Sequence, residues 1–471
     1  MKRIAIIGGG ISGLSAAYTI EEKRRAGTQV EYVLFESKLR LGGVIVTERV
    51  DGCLVEAGPD SFLTEKPWAA DLCHRLGLGD QLIGSNDSQR KTYIAAKNKL
   101  TEIPDGLMFM VPTKIMPAIR SPLFSLKTKM RVAAEWFHPP RKSSEDETVA
   151  EMVERHYGPE MVEILADPLL SGVYGGEASQ LSVRAVLPRF ADMEAKHGSL
   201  GRGMLSARKK MGAPKEPARP LFTTLKDGMQ QMVDSLVAGL DPDAVKKSVP
   251  VEQLARELNR WTVSAGYQTD QFDAVIVATP APAAALVLQG TDESLASELR
   301  GIQYSSSVTV TLGYDDTVRR ALPPGFGFLV PRSAGGRLLA ATFVHNKFPH
   351  RAPADRALIR CFLGGSRDEQ ILQSGEKEIV RIVRHELEQI IGSALHAEPL
   401  FARVYKWRGA MAQYSLGHLE RVQRIESLRL RYPGLALAGN GYSGIGVPDC
   451  VRSGAEAASK ILAEMGMWSS A

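Results

Sequence analysis

A strand, a glycine turn, a helix, a second strand and an acid follow one another at the start of this chain, and that order leaves little freedom in how the first forty residues fold. KRIAII (2–7) is the apolar run of a buried parallel strand, GGGISG carries the GxGxxG spacing at Gly8, Gly10 and Gly13, and LSAAYTIEEKRRAG sets small and apolar residues at helical intervals. VEYVLF (30–35) supplies the next strand and ends on Glu36, 23 residues beyond Gly13. Gly8 permits the tight turn, Gly10 lets backbone approach a pyrophosphate, and Gly13 lets helix pack on strand. Gly9, Ile11 and Ser12 complete the loop, and the helix N-terminus turns unpaired N–H groups and about half a positive charge toward the phosphates. Glu36 can accept hydrogen bonds from both ribose hydroxyls of an adenosine. A dinucleotide site is the expectation, with a ligand-free tight turn as the alternative.

Composition bounds the rest. A chain of 471 residues, 44% hydrophobic, buries large cores and divides into two or three domains. The longest apolar run, AVIVATPAPAAALVL, is broken by Pro280 and Pro282, so no membrane span is expected. Lys2 and Arg3 before an apolar run imitate a signal peptide, but Gly8, Gly9 and Gly10 interrupt the run and no cleavage site follows. Cys53, Cys73, Cys361 and Cys450 form no CxxC pair, as expected of reduced thiols, which predicts the cytoplasm. The net charge of +5 is too mild for a nucleic-acid partner. Its distribution says more: between Lys114 and Lys142 seven Lys or Arg stand against one acid, Glu135, among Met116, Leu126, Met130, Trp136 and Phe137. Such a segment suits a membrane interface, and equally suits an amphipathic helix packed on its own domain.

The residues after Glu36 separate the candidate dinucleotides. ESKLRLGGVIVTERVDGCLVEAGPDSF adds a second turn at Leu41 to Gly43 and a G-P loop at Glu56 to Phe62, an extension that a nicotinamide site does not need. GxGxxG followed by E-x-x-x-R-x-G-G and that loop resembles the flavin-containing amine oxidase superfamily. Further along, SGVYGGE, GFGFLVP, FPHRAP, RCFLGG, WRGAMAQYSLGH and GNGYSGIGVPDC resemble the protoporphyrinogen and coproporphyrinogen oxidases, the oxygen-dependent flavoenzymes of haem biosynthesis, from end to end. Glu177 stands where that family more often has Asp, and Ala412 where it has Pro.

The resemblance implies non-covalent FAD. It carries onto Ser37, Arg40, Gly42 and Gly43, the loop Gly58, Pro59, Asp60 and Ser61, Val251 at the adenine, Trp407, and the C-terminal Gly439, Ile445, Gly446 and Val447 as cofactor contacts. Pro448 opens a helix whose N-terminus is then expected to face the negative charge of the reduced flavin. The implied fold class is α/β (α+β overall), a Rossmann-like FAD-binding domain assembled from 1–87, 221–289 and 421–471. A helical, membrane-binding insertion is expected over 88–210, and an antiparallel-sheet substrate domain over 290–420. Within these, Ser144 and Glu147 offer a capping box, Ala207 to Pro220 reads as a flexible joint, LKDGMQQMVDSLVAGL as an amphipathic helix and VPVEQL as a short strand.

There is no G-x-S-x-G, no HExxH and no clustered His/Cys set, so neither a catalytic side chain nor a metal is expected and the chemistry falls to the cofactor. The resemblance implies hydride loss from a porphyrinogen meso carbon to flavin, reoxidation by oxygen with release of hydrogen peroxide, and three rounds to the aromatic porphyrin. Lys66 is the expected cation for a propionate; Leu329, Thr342 and Phe362 are expected wall positions, with Gly172 leaving room beside the rings. Expected partners are the porphyrinogen and oxygen, a peripheral contact with the inner face of the membrane, and the next enzyme of haem synthesis. Two rivals share the fold: a carotenoid desaturase or amine oxidase, and a non-catalytic lipid-binding protein of the Rab GDP-dissociation inhibitor type.

Overall fold

The apolar runs that bracket the chain meet in one parallel sheet. In the computed structural model, which describes residues 1–96, 99–141, 145–211 and 219–467, five strands lie in the order Val245–Lys247, Val30–Glu36, Lys2–Ile7, Ala274–Val277 and Leu435–Leu437. Every neighbouring pair is parallel. Ile4, Ile6 and Leu34 on one face and Ala5, Ile7 and Val277 on the other are buried, as continuous apolar strands covered on both sides require. The run broken at Pro280 becomes the strand Ala274–Val277 and the buried helix Ala281–Leu288, with Pro280 at its N-cap. The strand and helix expected from VPVEQL and LKDGMQQMVDSLVAGL are Val251–Glu257 and Gln230–Ala238.

A second sheet of seven strands follows the order Phe401–Ala412, Tyr304–Asp315, Arg356–Gly364, Leu338–Phe343, Gly327–Leu329, Thr92–Ala96 and Lys99–Glu102. It is antiparallel except where Gly327–Leu329 runs parallel to Thr92–Ala96. The segment from 88, expected to be helical, therefore begins with two strands of this sheet, because Tyr93 and Ala95 alternate into its core. That core, with Val308, Val310, Ile359 and Cys361, packs on Ile379, Val383 and Leu387 of the helix Glu376–Ile391.

The helices of the insertion lie between Ile115 and Met211. Of the expected capping box, Ser144 lies outside the described residues; the helix Val149–Tyr157 is capped by Thr148, whose hydroxyl accepts the Glu151 N–H while the Glu151 carboxylate accepts that of Thr148 (2.8 Å). Ala207 to Met211 continue the helix Leu200–Met211 rather than starting a joint, and residues 212–218 of that stretch lie outside the described residues. A buried charge cluster ties the insertion together. Burial alone would push the His156 imidazolium down, yet the Glu135 (3.2 Å) and Glu194 (3.0 Å) carboxylates hold it above its usual range. Glu194 in turn, despite its burial, is drawn down to about 2 by His156 and Arg155.

Candidate functional site

The first glycine loop is built as its spacing demands. Gly8 has φ +106° and donates to the Phe35 carbonyl (2.8 Å), and a Cβ at Gly13 would overlap the Gly8 carbonyl oxygen. Gly10 is different: a Cβ there would meet nothing within 4 Å. It is the N-cap of the helix Ile11–Arg25, with no side-chain cap and no acid in the first turn. Thr279, whose Cγ2 would lie 3.1 Å from a Cβ added at Gly8, has its Oγ1 buried without a hydrogen-bond partner among the described residues. Open space, uncapped amides and an orphan hydroxyl together fit a pyrophosphate. Thr279 was not singled out from sequence; a threonine directly after a core strand, with no other task, was the available signal.

Glu36 sits at the edge of this cradle. Its carboxylate accepts N–H groups of Gly9 (2.7 Å) and Lys38 (2.8 Å) and the Ser37 hydroxyl (3.2 Å), which fix its position. The Val249 N–H donates to its carbonyl (2.9 Å), bringing the strand that starts at Val251 to the same end. Arg40 acts on its own loop, donating to the carbonyls of Leu41 (2.7 Å), Ile45 (2.9 Å) and Gly43. The loop so curled lets Gly42 N–H bond Gly9 (2.8 Å), and a Cβ at Gly43 would lie 3.3 Å from the Gly10 Cα.

From there the cradle continues toward the seven-stranded sheet. A Cβ at Gly58 would overlap the Val44 carbonyl oxygen, so the 41–45 and 57–61 loops lie backbone against backbone. The sheet holds the second loop: Trp407 Nε1 (2.9 Å) and Thr309 Oγ1 (2.8 Å) donate to the Ala57 carbonyl, and Arg360 donates to that of Gly58. Pro59 leads into Asp60, which receives Lys347 Nζ (3.1 Å) and the Ser61 hydroxyl (2.7 Å), with Arg360 at 3.9 Å. Burial would raise the Asp60 carboxyl, but Lys347, Arg360 and Arg351 hold it far below the usual carboxylate range. Arg351 bonds Glu56 (3.0 Å), the Asp60 carbonyl (2.7 Å) and Thr224 (2.6 Å). These three buried cations lie within FPHRAP and RCFLGG or just before them, and sequence reasoning missed them; basic residues inside otherwise core-like stretches were the signal.

The expected wall positions share one face of the sheet. Leu329, Ala340 and Phe362 form one cross-strand row, and Thr342 the next row with Arg360. Gly172, on the helix Asp167–Tyr174, faces Leu329, whose Cδ2 would lie 3.9 Å from a Cβ added there. Leu329 and Ile445 both pack against the core of the helical insertion. The structure thus brings Leu329 and Gly172 together.

The C-terminal loop returns from Leu435–Leu437 through Gly439 (φ +129°), whose N–H bonds Ser453 (3.1 Å). Asn440 fastens it, donating to Ala410 (2.9 Å) and accepting from Tyr304 (3.2 Å). Gly446 is the N-cap of the helix Val447–Glu464. That N-terminus is not bare: the Asp449 carboxylate accepts the Gly446 N–H (3.2 Å) and pairs with Lys66 Nζ at 2.7 Å. Asp449 is 5% exposed and Lys66 34%. Lys66, the expected propionate cation, thus has one carboxylate partner, and the helix end expected to face a reduced flavin carries a carboxylate in its first turn.

Among the described residues no group of His, Cys, Asp and Glu could hold a metal ion. The four cysteines are buried and free; burial pushes the thiols of Cys73 and Cys450 up to about 12.

Residues 11–462 match the flavin containing amine oxidoreductase family. The chain belongs to that family. Its fold is that of the family's FAD-dependent oxidoreductases, and its cofactor is FAD. It is 34% identical to the coproporphyrinogen III oxidase of Bacillus subtilis (strain 168), over 98% of both chains. With protoporphyrinogen oxidase 2 of Arabidopsis thaliana the identity is 28%, over 98% of this chain and 94% of that one. A crystal structure from Exiguobacterium sp. 255-15, described as a candidate protoporphyrinogen oxidase, superposes with a TM-score of 0.87 at 30% identity and covers 99% of each chain.

Proposed function

We propose that this chain oxidises a porphyrinogen to the porphyrin in haem biosynthesis, with oxygen as the final acceptor and hydrogen peroxide as its product. The observation that carries this is the apolar row Leu329, Ala340 and Phe362, opposite Gly172 and joined to the loops of the dinucleotide cradle. A broad macrocycle needs such a wall, with a small residue across from it. Bound FAD supplies the hydride acceptor. The chain's own residues hold it: Gly8 to Gly13 and Thr279 at the pyrophosphate, Glu36 at the ribose, Val251 at the adenine. Gly43, Gly58 to Ser61, Trp407, Gly439 and Ile445 to Val447 enclose the redox end. Lys66, with donors left beyond the one spent on Asp449, receives a propionate. Coproporphyrinogen III is the favoured substrate, since the Bacillus subtilis enzyme of that name is 34% identical against 28% and 30% for the protoporphyrinogen oxidases of Arabidopsis thaliana and Oryza sativa.

The helical insertion supports a second element of the same reading, a peripheral contact with an anionic membrane face on the cytoplasmic side. Leu126 (73% exposed), Met130, Met116 and Phe137 (85% exposed) stand in the basic segment with Lys127 and Lys129. Among the described residues no helix is long and apolar enough to cross a membrane.

The test is anaerobic mixing of the FAD-loaded protein with coproporphyrinogen III and, separately, protoporphyrinogen IX. Bleaching of the flavin followed by porphyrin fluorescence on admitting oxygen is the expected outcome, faster with coproporphyrinogen. A flavin that neither substrate bleaches refutes the assignment.

A further inference from the structure

Beneath the loop that joins the cofactor cradle to the sheet lies a group of five buried charges whose signs do not cancel. Lys347, Arg351 and Arg360 face Glu56 and Asp60, three cations against two carboxylates among the described residues. The side chains of Arg351 and Glu56 are each 1% exposed and that of Arg360 6%, so solvent screens the surplus poorly. Burial pushes the Glu56 carboxyl up, while the Arg351 guanidinium paired with it favours the ionised form. Lys347 is pushed down by burial, but the Asp60 carboxylate against it favours its charged form.

Ion pairing of the ordinary kind does not explain the group. The Nε atoms of Arg351 and Arg360 are buried without a partner among the described residues, although buried donors are nearly always satisfied. A surplus cation in the interior is costly unless something negative approaches it. Its place in the fold supplies a candidate. Arg360 donates to the Gly58 carbonyl, stands in cross-strand register with Thr342, and lies 4.9 Å over the Phe362 ring. It therefore lies where cradle and wall meet. The other positive element at this end, the helix beginning at Val447, is met by Asp449.

We propose that the uncompensated positive charge of the Glu56, Asp60, Lys347, Arg351 and Arg360 cluster stabilises the reduced, anionic flavin and sets its reduction potential. This rests on the reading that the redox end of FAD lies against the 57–61 loop. The cluster touches no substrate; it acts through the field it imposes on the cofactor.

The test is the midpoint potential of bound FAD, measured with a reference dye under a chemical reductant, so that no porphyrinogen is needed. Glu56→Gln raises the surplus by one and Lys347→Met removes it. Lys347→Met combined with Asp60→Asn restores it. The expected order is Glu56→Gln highest, wild type and the double variant together, and Lys347→Met lowest. Each step is at least tenfold in the equilibrium between oxidised and reduced flavin, about 30 mV for a two-electron couple. Flavin-loaded variants that share the wild-type potential, or a double variant no closer to it than Lys347→Met, overturn the proposal and leave a rivet that only holds the loop. Should Lys347→Met not retain flavin, Glu56→Gln against wild type decides alone. A wild type that binds FAD but does not oxidise porphyrinogen refutes the substrate assignment while the potential series remains readable.

Discussion

Two helices begin at a glycine beside the cofactor cradle, and they begin differently. Ile11–Arg25 starts at Gly10 with no side-chain cap and no acid in its first turn, beside open space. Val447–Glu464 starts at Gly446 with Asp449 in its first turn, bonded back to the Gly446 N–H and to Lys66. The same backbone dipole is therefore left open at one end and faces an acid of its own first turn at the other. A helix N-terminus is an anion site only where the chain leaves it open. Between the two ends, the buried cations Lys347, Arg351 and Arg360 stand behind the 57–61 loop.

The comparison can be broken at three points. The largest effect is expected from Gly13→Val, whose Cβ would overlap the Gly8 carbonyl: a loss of more than about 4 kcal/mol, seen as insoluble or unfolded protein in expression and urea unfolding. Gly10→Asp comes next. Its extended backbone (φ −71°, ψ 178°) and empty surroundings accept a side chain, so the fold survives while the carboxylate takes the phosphate's place. FAD affinity is expected to fall about 100-fold, about 2.7 kcal/mol, by titration of flavin fluorescence with an unchanged circular dichroism spectrum. Undiminished binding would mean that the open end is not the phosphate site. Asp449→Asn should be mildest. It removes a capping acceptor and a pair with a partly exposed lysine, about 1 kcal/mol in urea unfolding, and should change FAD affinity less than threefold. A larger loss of FAD would show that the second end does bind the cofactor through that carboxylate.

The parallel half of the fold was legible because its signals are local. Gly8, Gly10, Gly13 and Glu36 stand at spacings that only one local geometry satisfies, and the apolar runs at 274–277 and 435–437 have no other place to be buried. Thr92 to Glu102 were not legible as part of the second sheet, because Tyr93 and Ala95 alternate over too few residues to betray a partner that comes more than 200 residues later at Gly327. The site divides in the same way. Leu329 and Phe362 could be placed on a wall by resemblance, but that they share a row with Ala340 is a matter of register. Lys66 looked free because its acid lies 383 residues away. The surplus charge was hidden for the same reason: Glu56 and Asp60 meet Lys347, Arg351 and Arg360 only after two sheets have formed.

The helix beginning at Ile11 is closed by the one that ends the fold, and the seal is tight: a Cβ at Gly454 would overlap the Ser12 carbonyl oxygen. The sheet repeats the arrangement, since Ala274–Val277 lies between Lys2–Ile7 and Leu435–Leu437. During synthesis the earliest strand meets Val30–Glu36 at once but waits for Ala274–Val277, its other neighbour, and longer still for the helix that covers Ser12, so the first glycine loop is made early and sealed late. A chain released before its final helix has the fingerprint of a flavoprotein but not the cradle.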